Sequence, residues 1–301
     1  MRHVLVTGMR AKTGAPLVDL LAADPRVVVR GGTSDPAAVH RDGVKPVAFS
    51  WDDPGSWAPA VEDLDALFVV RPDRADAPEL IGHLLSLTPA STHVVLLSEF
   101  DPRYFAPDDW PPRTERSVRD SGRTWTILRP GWFMQVFSDP RFFLADVVDR
   151  GEIRFPSAGG SVAWIDTRDI AAVAAHALTE PGHHGRTYDL TGPEALTLPE
   201  TAARLGRALG RPVRHVDIPL EEALAGSEGF DRANDEGAFD RIRRGLFASV
   251  TDVVERVTGR PARTFEQFAA DEEAFHRLRP GDGRAASYRA VPSARSRSSL
   301  A

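Results

Sequence analysis

Thr7-Gly8-Met9-Arg10-Ala11-Lys12-Thr13-Gly14 is the segment whose residue types and spacing point most directly to chemistry. It follows the apolar run Val4–Thr7 and opens a stretch with helical periodicity, the setting in which a glycine-rich turn cradles a dinucleotide pyrophosphate. Gly8 permits the tight turn, the Ala11 position is where backbone nears the pyrophosphate, and Gly14 lets helix and strand pack closely. The helix start then offers unpaired N–H groups and its positive dipole end to the phosphates. Glycine is usual where Ala11 stands, and the extra methyl pushes the pyrophosphate outward or restricts the backbone. A glycine turn in a fold that has lost its cofactor would read the same, so the loop alone leaves that alternative open.

The next strand selects between cofactors. An NAD site places Asp or Glu at its end to hold the ribose hydroxyls. Here the chain reads Val29-Arg30-Gly31-Gly32-Thr33-Ser34-Asp35, with Thr33 and Ser34 where that acid would sit and Asp35 placed to cap the following turn. Arg10 and Lys12 stand in the glycine loop, where either can pair with a 2′-phosphate. NADP(H) is therefore expected, with NAD the less favoured cofactor; the alternative for these two charges is a solvated loop.

Such a loop needs a parallel sheet beneath it. Apolar runs at Val4–Thr7, Val27–Gly31, Pro46–Phe49, Ala66–Val70, His93–Ser98 and Thr124–Leu128 are continuous, as in strands covered on both faces. Helical stretches at Thr13–Ala23, Ser56–Glu62, Ala77–Leu87 and Arg113–Ser121 lie between them. Beyond Pro130 the texture changes to short strands (Glu152–Phe155, Val162–Ile165, Thr187–Leu190, Val213–Asp217) among helices such as Asp169–Thr179 and Pro199–Leu209. The expected fold is α/β, a Rossmann-type doubly wound parallel sheet with a smaller C-terminal α+β substrate lobe. The divisions are residues 1–130 for the core, 131–278 for the lobe, whose strands can return to the main sheet, and 279–301 for a Ser/Ala/Arg-rich disordered tail.

Composition narrows the class. The 301 residues carry 42% hydrophobic and 27% charged side chains with a net charge of −6, ordinary for a globular protein. No apolar run approaches the roughly 20 residues of a membrane span, so no membrane partner is expected. The start, Met1-Arg2 followed at once by strand-like residues, has no signal-peptide pattern, and a cytoplasmic location is the expectation. Cysteine is absent, which removes disulfides and thiolate chemistry, and no metal site is expected: His183-His184, between Pro181-Gly182 and Gly185, reads as a polar turn. No basic pattern points to nucleic acid.

Taken in order, TGxxxxTG, Trp125-Thr-Ile-Leu-Arg-Pro-Gly-Trp-Phe-Met-Gln135, Ile165-Asp-Thr-Arg-Asp-Ile-Ala171 and Thr187-Tyr-Asp-Leu-Thr-Gly-Pro-Glu194 resemble the NmrA-like family of atypical short-chain dehydrogenase/reductases. That family includes triphenylmethane reductase, NADPH-dependent quinone reductases and redox-sensing co-regulators, and the resemblance runs from about residue 3 to residue 275. Ala11 depart from its pattern, as does Ser34, where many relatives carry Arg. The resemblance implies a cofactor groove from Thr7, Gly8, Arg10, Ala11, Lys12, Thr13, Gly14, Thr33, Ser34 and the strand end Val70-Arg71-Pro72. It also implies that Ser98 and the turn Pro130-Gly131-Trp132-Phe133 flank the nicotinamide.

Typical short-chain reductases protonate an alkoxide with a Tyr whose pKa is lowered by a Lys four residues on. Both lysines, Lys12 and Lys45, precede all three tyrosines here, so no such pair exists. Ketone reduction by that route lacks its acid. Hydride addition to a quinone, enone or cationic dye spreads or cancels charge, and positioning against a flat acceptor does more of the work. Phe100, Tyr104, Trp132, Phe133 and Trp164 are the aromatics that could wall such a slot, with core packing the alternative for each. Ser98 and Tyr104 are the candidate catalytic groups. Glu115 reads as an exposed helical carboxylate, with service as an acid the alternative, and Asp166 and Asp169 as structural, with Asp166 or Thr167 placed to cap the following helix.

The leading reading is an NADPH-dependent reductase of a conjugated, quinone-like or polycyclic aromatic small molecule. Two others stay open: a redox-neutral enzyme (cyclase, dehydratase or epimerase) on a polycyclic substrate, and a non-catalytic NADP-sensing regulator.

Overall fold

Val4, Val6, Phe68, Val95 and Leu97 pack toward one layer of the fold, whereas their strand neighbours Leu5, Leu67, Val69, Val94 and Leu96 pack toward the other. Side chains alternate across a strand, so a continuously apolar run can be stable only where helices cover both faces. The computed structural model, which describes residues 1–101 and 104–276, has that arrangement. The tail assigned to 279–301 lies outside the described residues.

Strands β1 (Arg2–Val6), β2 (Val27–Thr33), β3 (Val44–Ala48), β4 (Ala66–Val70), β5 (His93–Leu97), β6 (Thr124–Pro130) and, further along the chain, β9 (Arg186–Leu190) form one sheet in the order β3-β2-β1-β4-β5-β6-β9. Every pairing in it is parallel. Helices α1 (Gly14–Ala22) and α6 (Thr167–Thr179) cover one face against Leu17, Val18, Ile170 and Ala174. On the other face lie α2 (Trp57–Val61), α3 (Ala77–Leu87) and α4 (Trp110–Arg119), burying Trp57, Ile81 and Val118.

Several elements start or end a few residues from the sequence expectation, and for one the reason is local. Helix α4 begins at Trp110, ahead of the expected Arg113, because Pro111 and Pro112 occupy its first turn, where a missing N–H costs nothing. After Pro130, α6 and β9 both belong to the main sheet, as the continuous pairing of Arg186–Leu190 with Thr126–Pro130 requires. The rest of that segment makes a second lobe: α5 (Leu144–Arg150), β7 (Glu152–Arg154), β8 (Ser161–Val162), β10 (Leu196–Thr197), α7 (Leu198–Leu209), β11 (Arg214–Val216), α8 (Leu220–Ala223), α9 (Gly229–Arg243), α10 (Val253–Thr258), α11 (Phe265–Asp271) and α12 (Glu273–His276). Of these, α10 packs on α6 and β9. The lobe's core is dense in aromatics, with Phe137, Phe155, Trp164, Phe239, Phe265, Phe268 and Phe275 all buried. No described helix is long and apolar enough to cross a membrane.

Asp166 caps α6 as expected, accepting the Arg168 N–H at 2.8 Å, and Asp169 accepts the Arg263 N–H at 2.7 Å. Gly192 of the Thr187–Glu194 segment is required where it passes the lobe, since a Cβ there would stand 1.9 Å from the Trp164 carbonyl oxygen.

At the opposite end of the sheet from the glycine loop, His93 is buried with Nδ1 2.9 Å from Thr124 Oγ1 and Nε2 3.0 Å from Thr126 Oγ1. Burial, with Arg2, His184 and His183 nearby, pushes its pKa down to about 4. The folded protein therefore holds a neutral imidazole that the unfolded chain protonates near its ordinary pKa of about 6.5. Its contribution to stability is complete above about pH 6.5 and lost as pH falls through about 4. We expect urea midpoints to fall less between neutral pH and pH 4 in His93→Gln than in the wild type. Parallel curves would refute this.

Candidate functional site

The glycine loop sits at the carboxyl end of β1, between β2 and β4, where open parallel sheets bind ligands. A Cβ on Gly14 would stand 1.9 Å from the Gly8 carbonyl oxygen, so the start of α1 rests directly on the turn. Ala11 N–H closes onto the Gly8 carbonyl at 3.0 Å and Ala15 N–H onto the Ala11 carbonyl at 2.9 Å. The N–H groups of Lys12 and Thr13 have no backbone acceptor among the described residues, and the Thr13 hydroxyl is buried without a partner. Unsatisfied donors at the first turn of a helix are what an anionic pyrophosphate requires, and the cradle fits one. Ala11 is not among the residues with positive φ, so alanine is tolerated there without backbone strain.

The charges around the loop divide. Arg10 is exposed and makes no ion pair among the described residues. Lys12 is turned inward: Nζ lies 2.9 Å from Asp139 of the second lobe, an ion pair without good hydrogen-bond alignment, and 4.8 Å from the Phe142 ring centroid. Burial pushes the Lys12 pKa below the usual lysine value although Asp139 opposes that. Burial works to raise Asp139, but hydrogen bonds from Arg141 and the Lys12 ammonium beside it outweigh that and hold the carboxyl at about 2. Lys12 thus ties the loop to the lobe, which leaves Arg10 as the free cation. Thr33 is buried at the end of β2, Ser34 is exposed, and Asp35 accepts the Ala38 N–H at 3.2 Å, capping the turn as its position predicted.

Beyond the ends of β4 and β5 a chain of opposite charges runs into the second lobe. Buried Arg71 pairs with Asp73 and Glu99 and stacks 4.7 Å from the Trp110 ring. Glu99 in turn meets Arg241 of α9 at 3.2 Å, and Arg241 also donates to the Phe100 carbonyl at 3.1 Å. Val70 N–H donates to the Thr7 hydroxyl at 2.9 Å, and Pro72 leads out of the strand half-buried.

Ser98 donates its hydroxyl proton to Glu115 Oε1 at 2.8 Å. Glu115 is not the exposed carboxylate expected from sequence: it is 1% exposed, gripped by Arg129 at 2.7 and 2.6 Å and by Arg119 at 2.8 Å. Burial would raise its pKa, but these partners more than compensate and leave it below the usual value. It stays ionised and serves as an acceptor, not an acid.

Ser98, Glu99, Arg71 and the Pro130-Gly131-Trp132-Phe133 turn line a cavity closed by Asn234, Ala238 and Arg241 of α9 and by Phe247. Its volume is about 30 Å³, room for a water or two and well short of a nicotinamide ring.

The family model for the NmrA-like family matches residues 112–231. Over 88% of this chain and 96% of the relative, 35% of residues are identical to an NAD(P)H azoreductase from Xenophilus azovorans. The chain belongs to the NmrA-like family. Within it, 33% of residues are shared with a (4-alkanoyl-5-oxo-2,5-dihydrofuran-3-yl)methyl phosphate reductase from Streptomyces griseus, over 90% of this chain and 99% of that one. The fold is also that of an NADPH-dependent quinone oxidoreductase from Escherichia coli solved with NADPH, with a TM-score of 0.74, 20% identity and coverage of 89% and 98%. Membership of this atypical short-chain dehydrogenase/reductase group makes the chain an NAD(P)-binding oxidoreductase.

Against that family pattern, the structure gathers Arg71, Ser98, Pro130, Trp132 and Phe133 around one cavity. Phe100 and Trp164 are not among its lining: Phe100 stacks on Phe247 at 5.6 Å, and Trp164 is a core residue whose Nε1 donates to Thr201 at 3.0 Å. Tyr104 donates to Asp240 at 3.1 Å, and burial together with that bond raises its pKa above the ordinary value. His183 and His184 meet Tyr188 and the Trp125 N–H, and no metal-type cluster occurs among the described residues. Sequence reasoning missed Glu99, Asn234, Arg241, Phe247 and Asp139. Only Glu115 left a trace: Arg129, inside the apolar β6 just before Pro130, needs a counter-charge.

Because Gly14 rests on the Gly8 carbonyl, Gly14→Ala should lower the melting temperature and weaken dinucleotide binding together. Unchanged calorimetric affinity in a folded Gly14→Ala protein would contradict this account of the loop.

Proposed function

We propose that the chain is an NADPH-dependent reductase that passes hydride to a conjugated, quinone-like or polycyclic aromatic small molecule. The observation that carries the reading is the pairing of a helix-start cradle with free N–H groups and a site of aromatic and apolar walls that contains no Tyr-x-x-x-Lys acid. Two relatives that share at least 33% of residues along nearly the whole chain are named as reductases, one of azo compounds and one of an unsaturated lactone.

Bound NADPH would supply the hydride. The residues' part is to hold and orient. The free N–H groups of Lys12 and Thr13 and the Thr13 hydroxyl would hold the pyrophosphate, Arg10 would pair with the 2′-phosphate, and the Pro130–Phe133 turn and Ser98 would orient a flat acceptor. With its proton committed to Glu115, Ser98 presents lone pairs to the site and acts as an acceptor. A regulator that senses NADP is favoured by one observation, the small volume under α9. Consumption of NADPH in the presence of quinones, enones or azo compounds separates the two readings, since a sensor turns over none of them.

The preference for NADPH follows from Arg10 and from the missing acid at the end of β2. Calorimetry should give NADPH at least about tenfold tighter binding than NADH, and Arg10→Ala should remove most of that difference while leaving NADH unchanged. Equal affinities in the wild type would sink the assignment.

Tyr104, bonded to Asp240 and with a raised pKa, is no proton donor for the acceptor. Tyr104→Phe should keep turnover within about tenfold of wild type, because loss of a true general acid costs about a hundredfold or more. A larger loss at unchanged thermal stability would reinstate it.

A further inference from the structure

We propose that Trp132 and Asn234 form a pair of hydrogen-bond donors for the carbonyl oxygen of the acceptor, so that the site takes conjugated carbonyl compounds (unsaturated ketones and lactones, quinones) in preference to cationic dyes. The proposal rests on the reductase reading above and names its substrate class.

Trp132 is 6% exposed, and its Nε1 is buried without a hydrogen-bond partner. An indole N–H can only donate, and leaving one unpaired in the interior is costly. Other tryptophans of this chain avoid that cost: Trp51 donates to the Val70 carbonyl at 3.2 Å, Trp57 to the Ser50 carbonyl at 2.7 Å and Trp164 to the Thr201 hydroxyl at 3.0 Å. Among the described residues, the buried indole N–H left unpaired belongs to the tryptophan that lines the cavity at the strand ends. Asn234, on α9 across the same cavity, is half-buried and has no hydrogen-bond partner among the described residues. Arg71 Nε, also on this lining, is buried and unpaired as well.

The lining thus holds N–H groups on Trp132, Asn234 and Arg71 that have no acceptor within the fold. Glu99 is occupied by Arg71 and Arg241, and Ser98 gives its proton to Glu115. Arg241 is bonded through all its nitrogens, to Gly237, Phe100 and Glu99. What the buried Trp132 indole lacks is an oxygen to receive its N–H, and a bound carbonyl supplies one. A cationic dye brings none to it and finds no spare negative charge, since Asp73 and Glu99 are balanced by Arg71 and Arg241.

The electron count agrees. The carbon β to the carbonyl takes a hydride and its two electrons, and the reduced nicotinamide is oxidised by the same two. The π pair of the acceptor's C=C shifts toward the carbonyl oxygen, which becomes an enolate oxygen. Trp132 and Asn234 meet the charge that grows there, and a proton from water then reaches the α-carbon. Donors aimed at developing negative charge stabilise it more than they stabilise the neutral carbonyl.

Trp132→Phe keeps a ring in place and removes the N–H; Asn234→Leu removes the amide. With 2-methyl-1,4-naphthoquinone as acceptor, each variant should lose about tenfold in kcat, while NADPH affinity and melting temperature stay at wild-type values. Reduction of crystal violet, which brings no carbonyl oxygen, should fall clearly less than reduction of the naphthoquinone in both variants. In ¹⁵N spectra, the indole N–H signal that disappears in Trp132→Phe should shift when the naphthoquinone is added to wild-type protein, with and without NADP⁺. Equal losses on both acceptors would make Trp132 a wall and not a donor, and a fall in NADPH affinity would assign the donors to the cofactor; either overturns the proposal. If the wild type reduces no acceptor, the reductase reading fails on its own. The indole signal then still decides: a shift keeps the carbonyl site, and no shift overturns it.

Discussion

The approach of Gly14 to the Gly8 carbonyl is the constraint on which the rest of the site depends. No side chain fits between them, since even a methyl would stand 1.9 Å from that oxygen. The contact aims the first turn of α1 across the end of β1, and it is this aim that leaves the Lys12 and Thr13 N–H groups without backbone acceptors. It also fixes what Lys12 can reach. Carried inward by the turn, it meets Asp139, so that a residue placed by sequence among the phosphate contacts becomes a tie to the second lobe. Arg10, two residues earlier on the outer side of the same turn, keeps its charge in solvent.

The second lobe is joined to the sheet by charge as well as by packing. From Asp73 through Arg71 and Glu99 to Arg241, alternating partners bring together the ends of β4 and β5 and the side of α9. Buried ion pairs contribute little net stability over well-packed apolar residues, but breaking one leaves an uncompensated charge, so they are effective at fixing geometry. Here the fixed geometry is the position of α9 over the cavity. The Ser98–Glu115–Arg129 cluster does the same on the other side of β5, setting the direction of one hydroxyl.

How much of this could be read from sequence follows from the range of each interaction. The parallel sheet was legible because its strands are continuously apolar and helices separate most of them; β2 and β6 run on past their expected ends to Thr33 and Pro130. The glycine loop was legible because its chemistry lies within eight consecutive residues, Thr7 to Gly14. The return of β9 to the sheet was visible as a strand but not as a partner of β6, since a run of residues does not name its neighbour. Glu99 and Arg241 are separated by 142 positions, and nothing local to either predicts the pairing. Glu115 shows the opposite failure. On a helix with Arg113, Arg116 and Arg119 it has the pattern of a solvated charge, yet it is the side chain that turns toward β6 because Arg129 draws it there.

The near-absence of lysine has a consequence for the chemistry. All four cations that shape the cavity and its flank, Arg71, Arg119, Arg129 and Arg241, are guanidinium groups, which do not lose their charge in the range where proteins work. A lysine in such a buried position would see its pKa fall, as burial lowers that of Lys12. Each guanidinium also presents several N–H groups in one plane, which is how Arg241 can meet a carboxylate and two carbonyls from a single helix position. Glu115 is held ionised by its arginines, and Tyr104 is held protonated by burial and Asp240. What the fixed arginines supply is geometry: Arg129 holds the Glu115 carboxylate that turns the Ser98 hydroxyl, and Arg241, through Glu99, holds α9 against the ends of β4 and β5.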